Sequence, residues 1–528
     1  MKSSINKDFG VAAAKFFELA VSYPLSNVFV VLGRATQFSN NEIETPYDTV
    51  QYKNDTMDHG IVMKRLTSAD IQAVVPRIDW LSGTSYFAYN QSANLFATTL
   101  ETVIANTVNV SLSSANTVNA YGTGTFSLSG VLAPGNRIRI VDEIKEITRV
   151  SNTTISVNSS FTSAYTNALA YVVQSSASGY YNSFYVRNGS DQVFKCLSNN
   201  RGIVSTSEPR LTLGGQLPEN AFIETDDGYR WKYLYTIPNG LKNKFFTSKY
   251  MPVLREPTVY NYSVDGRLDV INITSGGTGY YGGANITNYG ILTVSGDGTG
   301  ATASVDVVNG VIADINIITG GTGYTYASVA ISDPLHSGTD AALTPVIGPY
   351  RGHGFDPVKE LGGSSLMISS DFAGTVSGYY PIASDGTDDF RQITLLKDPT
   401  LTGNVLNYAT NAIYSLFTTI YTSDAIVNYI HDSTVYVGNT TTPIFSGTAI
   451  HFANLNNIMY VNNLTGNAAA IIGQALLQQN NVSAVATVYS VIPPAININS
   501  GDVLYVENRN AIVRDQNQTE TVKLVLEF

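Results

Sequence analysis

LDVINITSGGTGYYGG at 268–283 returns as ADINIITGGTGYTYAS at 313–328. The pentad GGTGY stands at 276–280 and again at 320–324, an offset of 44 residues, with SGDGTGATASVDVVNG (295–310) between the copies. Apolar and polar residues alternate ahead of each glycine pair, so each copy reads as strand, glycine turn, strand. A fixed period of this kind implies stacked or paired supersecondary units that bury their apolar faces against one another. The pentad departs from two ligand-binding glycine motifs. Calcium-binding GGxGxD repeats carry an Asp that is missing here. A phosphate-cradling loop is followed by Lys and opens a helix, and neither follows here. Turn glycine with a packed tyrosine is the preferred reading.

Working outward, two more stretches carry the same β signature. About 98–178 contains VNAYGTGTFSLSGVLAPGNRIRIVDEIKEITRVSNTTISV, in which NRIRIV and TTISV alternate while GTGT and PGN turn. About 403–497 is rich in Asn, Thr and Ala, and IVNYIHDSTVYVGNT (426–440) reads as a strand pair. The stretches 98–178, 263–348 and 403–497 are therefore expected to be three inserted small β-barrel or β-sandwich-like domains. They interrupt one discontinuous core domain made of 1–97, 179–262, 349–402 and 498–528. The expected fold class is mainly β, with a mixed α+β core. Surface loops tolerate such insertions because closure entropy grows slowly with length.

Within the core segments, the spacing of Ile5, Phe9, Phe16, Leu19 and Ala20 predicts an amphipathic helix over 5–22, with Pro24 soon after it. SNVFVVLGR (26–34) reads as a buried strand. SADIQAVV (68–75) reads as a second short helix, capped by Ser68 and stopped by Pro76. In PRIDW, strand spacing puts Arg77 and Asp79 on one face as a charged pair beside a packed Trp80. In DGYRWKYLY, Tyr229, Trp231, Tyr233 and Tyr235 alternate with Arg230, Lys232 and Leu234. Such a stripe is core first and a dimer hot spot second. The C-terminal stretch YVENRNAIVRDQNQTETVKLVLEF reads as strand, loop, strand. Glu507 and Arg509 are expected as a loop-stabilising pair, and Val522, Leu524 and Leu526 mark a final strand closing the core sheet.

Composition narrows the function. Of 528 residues, 44% are hydrophobic and only 13% charged, about half the usual charged share. A surface with few charges suits packing against many neighbours, because little charge must be desolvated on assembly. The net charge of −11, with no basic run, argues against a grip on DNA or RNA. The single cysteine, Cys196, excludes an intramolecular disulfide, fits a reducing compartment and reads as a buried small hydrophobe in the strand VFKCL. MKSSINKDFG lacks the apolar core of a signal peptide, and AAAIIGQALL (468–477), the longest apolar run, is too short to span a bilayer.

Catalytic and metal motifs are sparse. None of His59, His336, His353, His431 and His451 lies within four residues of another, and neither HExxH nor paired CxxC occurs. GxSxG finds no strand–helix elbow. His353, in YRGHGFDP, is expected as a turn histidine bonded to backbone. ETDDG (224–228) and SDGTDDF (384–390) offer acidic pairs, Asp226/Asp227 and Asp385/Asp389, that could serve glycoside hydrolysis or calcium. Asp in a glycine turn more often bonds its own backbone. The expectation is accordingly no enzyme, no cofactor, no metal and no small-molecule substrate.

Five motifs then occur in order: FVVLGRATQFSNNEIETPYDT (29–49), AVVPRIDW (73–80), DDGYRWKYLYTIP (226–238), DFRQITLLKDP (389–399) and GDVLYVENRNAIVRDQNQTETVKLVLEF (501–528). Together they resemble the baseplate wedge protein eight family of T-even-type contractile-tailed bacteriophages, over roughly half the chain. The three insertions depart from that family's usual member and resemble β modules scattered among structural proteins of related phages, especially those of marine cyanobacteria. The resemblance implies a non-enzymatic, elongated homodimer in the virion's tail baseplate, assembled in the host cytoplasm, that bridges other wedge proteins without touching membrane or nucleic acid. Its structural and interface candidates are Arg34, Arg77, Asp79, Trp80, Tyr229, Trp231, Phe390, Arg391, Glu507 and Arg509. The alternative is a receptor-binding fibre or adhesin with glycan-binding β domains, and a polysaccharide-degrading enzyme ranks last.

Overall fold

The computed structural model describes residues 7–23, 26–38, 43–89, 101–110, 117–120, 137–140, 143–150, 154–157, 160–161, 164–173, 184–211, 222–381 and 388–528. The protein is mainly β, with few and short helices among strands. It divides into two compact units, one of 1–11, 73–365 and 528, the other of 12–72 and 366–527. The expected core segments are thus shared between the two, a division the expectation of one core domain did not contain.

In the first unit, Glu101–Val110, Thr117–Ala120, Thr154–Val157, Glu143–Val150, Arg137–Ile140 and Tyr165–Val173 pair in that order into a closed ring of strands. The glycine-repeat region forms three small antiparallel sheets. Leu268–Thr278 pairs with Thr339–Ile347, and Val311–Thr322 pairs with Thr299–Val308. The two pentads solve the same local problem. Tyr280 and Tyr324 are both buried, and their rings lie where a Cβ on Gly338 or Gly298 would stand, at 2.1 and 2.3 Å. Inside the pentads, Gly277 and Gly321 have positive φ, and a Cβ there would meet Tyr280 Cε2 or Tyr324 Cε2 at 2.7 or 2.9 Å, which is why the motif repeats as glycine with tyrosine. The remaining core of this unit is a four-stranded sheet in the order Tyr185–Arg187, Gln192–Ser198, Arg230–Thr236, Phe222–Glu224. Its apolar cluster gathers Trp231, Tyr229, Phe194, Cys196 and Leu234, all fully buried.

The second unit holds a five-stranded sheet in the order Ile413–Ser415, Gly60–Arg65, Val28–Gly33, Asp388–Lys397, Asp502–Arg514. Val28–Gly33 is central and buried at every position, as its unbroken apolar run requires. Ser365–Ala373 and Thr519–Glu527 are neighbours in another sheet, so the final strand lies there, with Val522 and Leu524 buried. Thr418–Thr422, Ile458–Gly466, Pro443–Ala453, Ser433–Gly438, Ala475–Gln478 and Asn481–Ile492 form a second closed barrel around Phe445, Met459 and Leu476.

Several expectations need correction. SADIQAVV is not a helix. A short 3-10 turn, Ser68–Asp70, is capped by Thr67, whose hydroxyl donates to Asp70 Oδ2 at 2.6 Å, and the strand Ile71–Pro76 follows. The β-branched run of IQAVVP outweighs the cap. Glu507 and Arg509 sit inside the strand Asp502–Arg514, not in a loop. IVNYIHDSTVYVGNT supplies one strand, Ser433–Gly438, preceded by a turn. The first helix is present and runs Lys7–Ser22; of the residues whose spacing predicted it, Phe9, Phe16 and Leu19 are exposed, whereas Val11, Ala14 and Val21 are buried. Ile5 and Pro24 lie outside the described residues. No described helix is long and apolar enough to cross a membrane.

Candidate functional site

Beyond Pro76, where the strand ends, Arg77 and Asp79 do pair. Arg77 Nη2 and Nε donate to Asp79 Oδ2 at 2.5 and 2.9 Å. The pair is the start of a ladder that sequence spacing did not show. Arg187 Nε donates to Asp79 Oδ1 at 2.7 Å, Arg187 Nη1 to Asp191 Oδ1 at 2.5 Å, and Lys242 Nζ to Asp191 Oδ2 at 2.7 Å. The three cations stand around one ring, Phe246, at 4.6, 5.1 and 5.6 Å from its centroid. Burial raises the Asp79 carboxyl, but hydrogen bonds and charge from Arg77 and Arg187 outweigh it and hold the group below its ordinary range. Trp80, half-buried beside the ladder, donates its Nε1 to Ser205 Oγ at 3.0 Å. Arginine, aspartate and aromatic surface fixed in one rigid patch is the composition of a binding hot spot.

The aromatic stripe is core. Tyr229 stacks on Trp231 with centroids 5.5 Å apart, and Tyr86 meets Trp231 edge-on at 5.5 Å. The strand Arg230–Thr236 is buried on both faces from Trp231 to Tyr235, Lys232 included. Tyr229 and Trp231 are therefore unavailable as surface anchors.

In the second unit the remaining candidates form tight local pairs. Arg34, with a φ of 58°, donates to Asp55 at 3.3 Å and lies over Phe38. Arg391 grips Asp389 through two bonds of 2.8 Å and also donates to the Ala35 carbonyl. Phe390 is fully buried, and Arg509 donates to Glu507 two residues away along its strand. Sequence reading missed Arg514, which is fully buried, pairs with Glu520 at 2.8 Å and caps the carbonyls of Phe372 and Gly374.

The larger omission lies in the first unit. Lys195, fully buried on the strand Gln192–Ser198, donates to Glu360 Oε1 at 2.7 Å and sits 3.0 Å from His353 Nδ1. His353 Nδ1 is also 2.7 Å from Glu360 Oε1, and the Gly354 amide donates to Glu360 Oε2 at 2.8 Å. Asp269 lies 3.7 Å from His353 Nε2, and the Lys195 ammonium rests 3.3 Å from the Tyr89 ring centroid. His353 is thus held by side chains, not by backbone as expected. Desolvation pushes Lys195 down to about 8 despite Glu360 beside it, and desolvation lowers His353. Burial raises Glu360, but the charges of Lys195 and His353 prevail and hold it well below the usual carboxylate range. One signal was legible: a lysine inside the otherwise apolar run VFKCL must find a buried partner. A lysine with a lowered pKa beside a histidine and a carboxylate has the groups of acid–base catalysis. Here all three are enclosed and bonded to one another, so the arrangement fastens strand to loop.

Of the acidic residues singled out, Asp389 lies in the strand Asp388–Lys397, and Asp227, in a glycine turn, binds chiefly a distant loop rather than its own backbone. Asp227 accepts from the Thr206 and Ser207 amides at 2.7 and 2.9 Å and from Ser205 Oγ at 3.0 Å. Although burial works the other way, these bonds with that from Thr225 hold its carboxyl low. Asp385 lies outside the described residues. Among the described residues, no cluster of three or more His, Cys, Asp or Glu could hold a metal. One open groove of about 670 Å³ lies between the 198–202 loop and the repeat strands, lined by Asn200, Arg201, Asn272, Thr274 and Asp314. Arg230 crosses it, paired with Glu224 at 3.2 Å and Asp314 at 2.6 Å. Comparison with known proteins finds no matching family model and no matching curated protein.

Proposed function

We propose that the chain is a structural subunit of a contractile phage tail, a homodimeric connector in the baseplate wedge that works by binding neighbouring wedge proteins and performs no catalysis. The observation that carries this reading is the convergence of distant motifs. Residues from 29–49, 389–399 and 501–528, up to several hundred positions apart, supply the three adjacent strands Val28–Gly33, Asp388–Lys397 and Asp502–Arg514 of one sheet. Motifs 73–80 and 226–238 supply the charged ladder and the aromatic core of the other unit. A set of motifs that builds frameworks, with its ionisable groups spent on one another, fits a protein whose product is contact. Cryo-electron microscopy of tails containing this chain is the test. Density in the baseplate, against other wedge proteins, is expected; density at a fibre tip would overturn the reading.

The adhesin alternative is favoured by one observation, the open polar groove, whose volume falls within the range of ligand sites. It requires a trimer and saturable binding of a host glycan, lost on Arg201→Glu.

A further inference from the structure

The helix Lys7–Ser22 is apolar on two opposite sides. Gly10, Val11, Ala14 and Val21 face inward. At Gly10 an added Cβ would meet the Phe528 carbonyl oxygen at 2.6 Å and Ser364 Cβ at 3.1 Å, so this side is packed without slack. On the other side, Phe9, Ala12, Phe16, Leu19 and, one residue past the helix, Tyr23 are all exposed. Phe9 is 64% accessible, Phe16 75%, Leu19 43% and Tyr23 63%. The steps between these five residues are three, four, three and four. At 100° per residue they fall within one narrow stripe, the a and d positions of a heptad.

We propose that this stripe is the seam through which two copies of the chain associate, helix against helix about a twofold axis. It supplies a contact surface for the homodimer of the reading above, on which it rests for the expectation of two copies. Three observations select a second copy as the occupant. A strict 3–4 stripe matches another helix of the same period, and its own copy supplies the identical stripe, as an isologous interface needs. Among the described residues, no other helix is longer than nine residues, so the chain offers no comparable internal partner. The area also fits. Aromatic side chains of roughly 150–250 Å² each, exposed to these fractions, leave roughly 400–500 Å² bare on one helix, at the upper end for a monomer. Two such faces joined remove roughly 900 Å², and the flanking Ala13 and Ala20 let the backbones approach. That sum sits just under the roughly 1,200 Å² of a stable interface, so the seam gives a dimer dissociating in the micromolar range.

The test is sedimentation equilibrium of the full-length chain from about 1 to 100 µM, a span that brackets such a dimer. The wild type is expected to dimerise, and Phe16→Glu to weaken the dimer at least about tenfold while the thermal unfolding of the monomer, read at about 0.1 µM, stays unchanged, because Phe16 is 75% accessible. Phe16→Leu should keep the dimer, as should Leu455→Glu at a fully exposed barrel position. A dimer that survives Phe16→Glu overturns the seam and leaves the homodimer standing. A wild-type chain that remains monomeric at the highest concentration overturns both. A Phe16→Glu chain that melts earlier even at a concentration where the wild type is itself monomeric shows the stripe to be covered by its own molecule, and also overturns the proposal.

Discussion

Two ionic networks in the first unit use the same chemistry in different solvents. The ladder Arg77–Asp79–Arg187–Asp191–Lys242 faces water on one side, with Asp79 and Lys242 more than a third exposed. The trio Lys195–Glu360–His353 is sealed from water. In the ladder, water competes for every charge, so each rung adds little to stability. In the trio, each charge depends on the others, because none can turn to solvent. The contrast separates a water-facing ladder from a sealed trio that fastens, although both contain a basic residue, a carboxylate and an aromatic ring.

The sharpest way to break this contrast is Glu360→Gln. It strands a buried ammonium and should lower stability by about 3–5 kcal/mol, read by urea unfolding. The double replacement Lys195→Met with Glu360→Leu should recover most of that loss; if it does not, the trio does more than fasten. Acid should act next. His353 is lowered from its ordinary value, so the unfolded chain takes up its proton first, and stability falls as the pH drops through about 6.5. Glu360 is lowered as well, so a second loss begins below about 4.5, and each group approaches about 1.4 kcal/mol per pH unit. Unfolding curves at several pH values should show both steps, and Glu360→Gln should shrink the lower one, leaving the part owed to carboxylates such as Asp79 and Asp227. Tyr89→Leu removes the ring against the Lys195 ammonium and should cost about 1–2 kcal/mol. Smallest of all, Asp79→Asn in the ladder should cost about 0.5–1 kcal/mol and nothing measurable in about 0.5 M salt. A loss as large as that at Glu360 would erase the distinction between the two networks.

What could be read from sequence follows the range of the interactions. The glycine pentads were legible because strand, turn and ring lie within a few residues of each other, and Tyr280 and Tyr324 pack as their pattern requires. Arg77 with Asp79 was legible for the same reason, but Arg187, more than a hundred positions away, was not. The trio joins partners 158 and 165 residues apart, so only the oddity of a lysine in VFKCL hinted at it. Residues 68–75 misled because a good cap at Thr67 precedes a run whose β-branched residues pair as a strand. The first helix was legible as a helix but not in its orientation. Periodicity finds an apolar stripe but not the direction it faces, and a helix with two stripes satisfies the pattern twice.

In both closed barrels the first and last strands lie side by side. Thr418–Thr422 pairs with Asn481–Ile492, and Glu101–Val110 pairs with Tyr165–Val173. At the barrel 418–492 the chain therefore enters and leaves at nearly the same point, and a host loop needs only to open by one strand spacing to accept it. Barrels built this way are cassettes. Such a barrel can be removed or replaced while the sheets that carry it keep their register, because the cost of closing the host loop depends little on the length inserted.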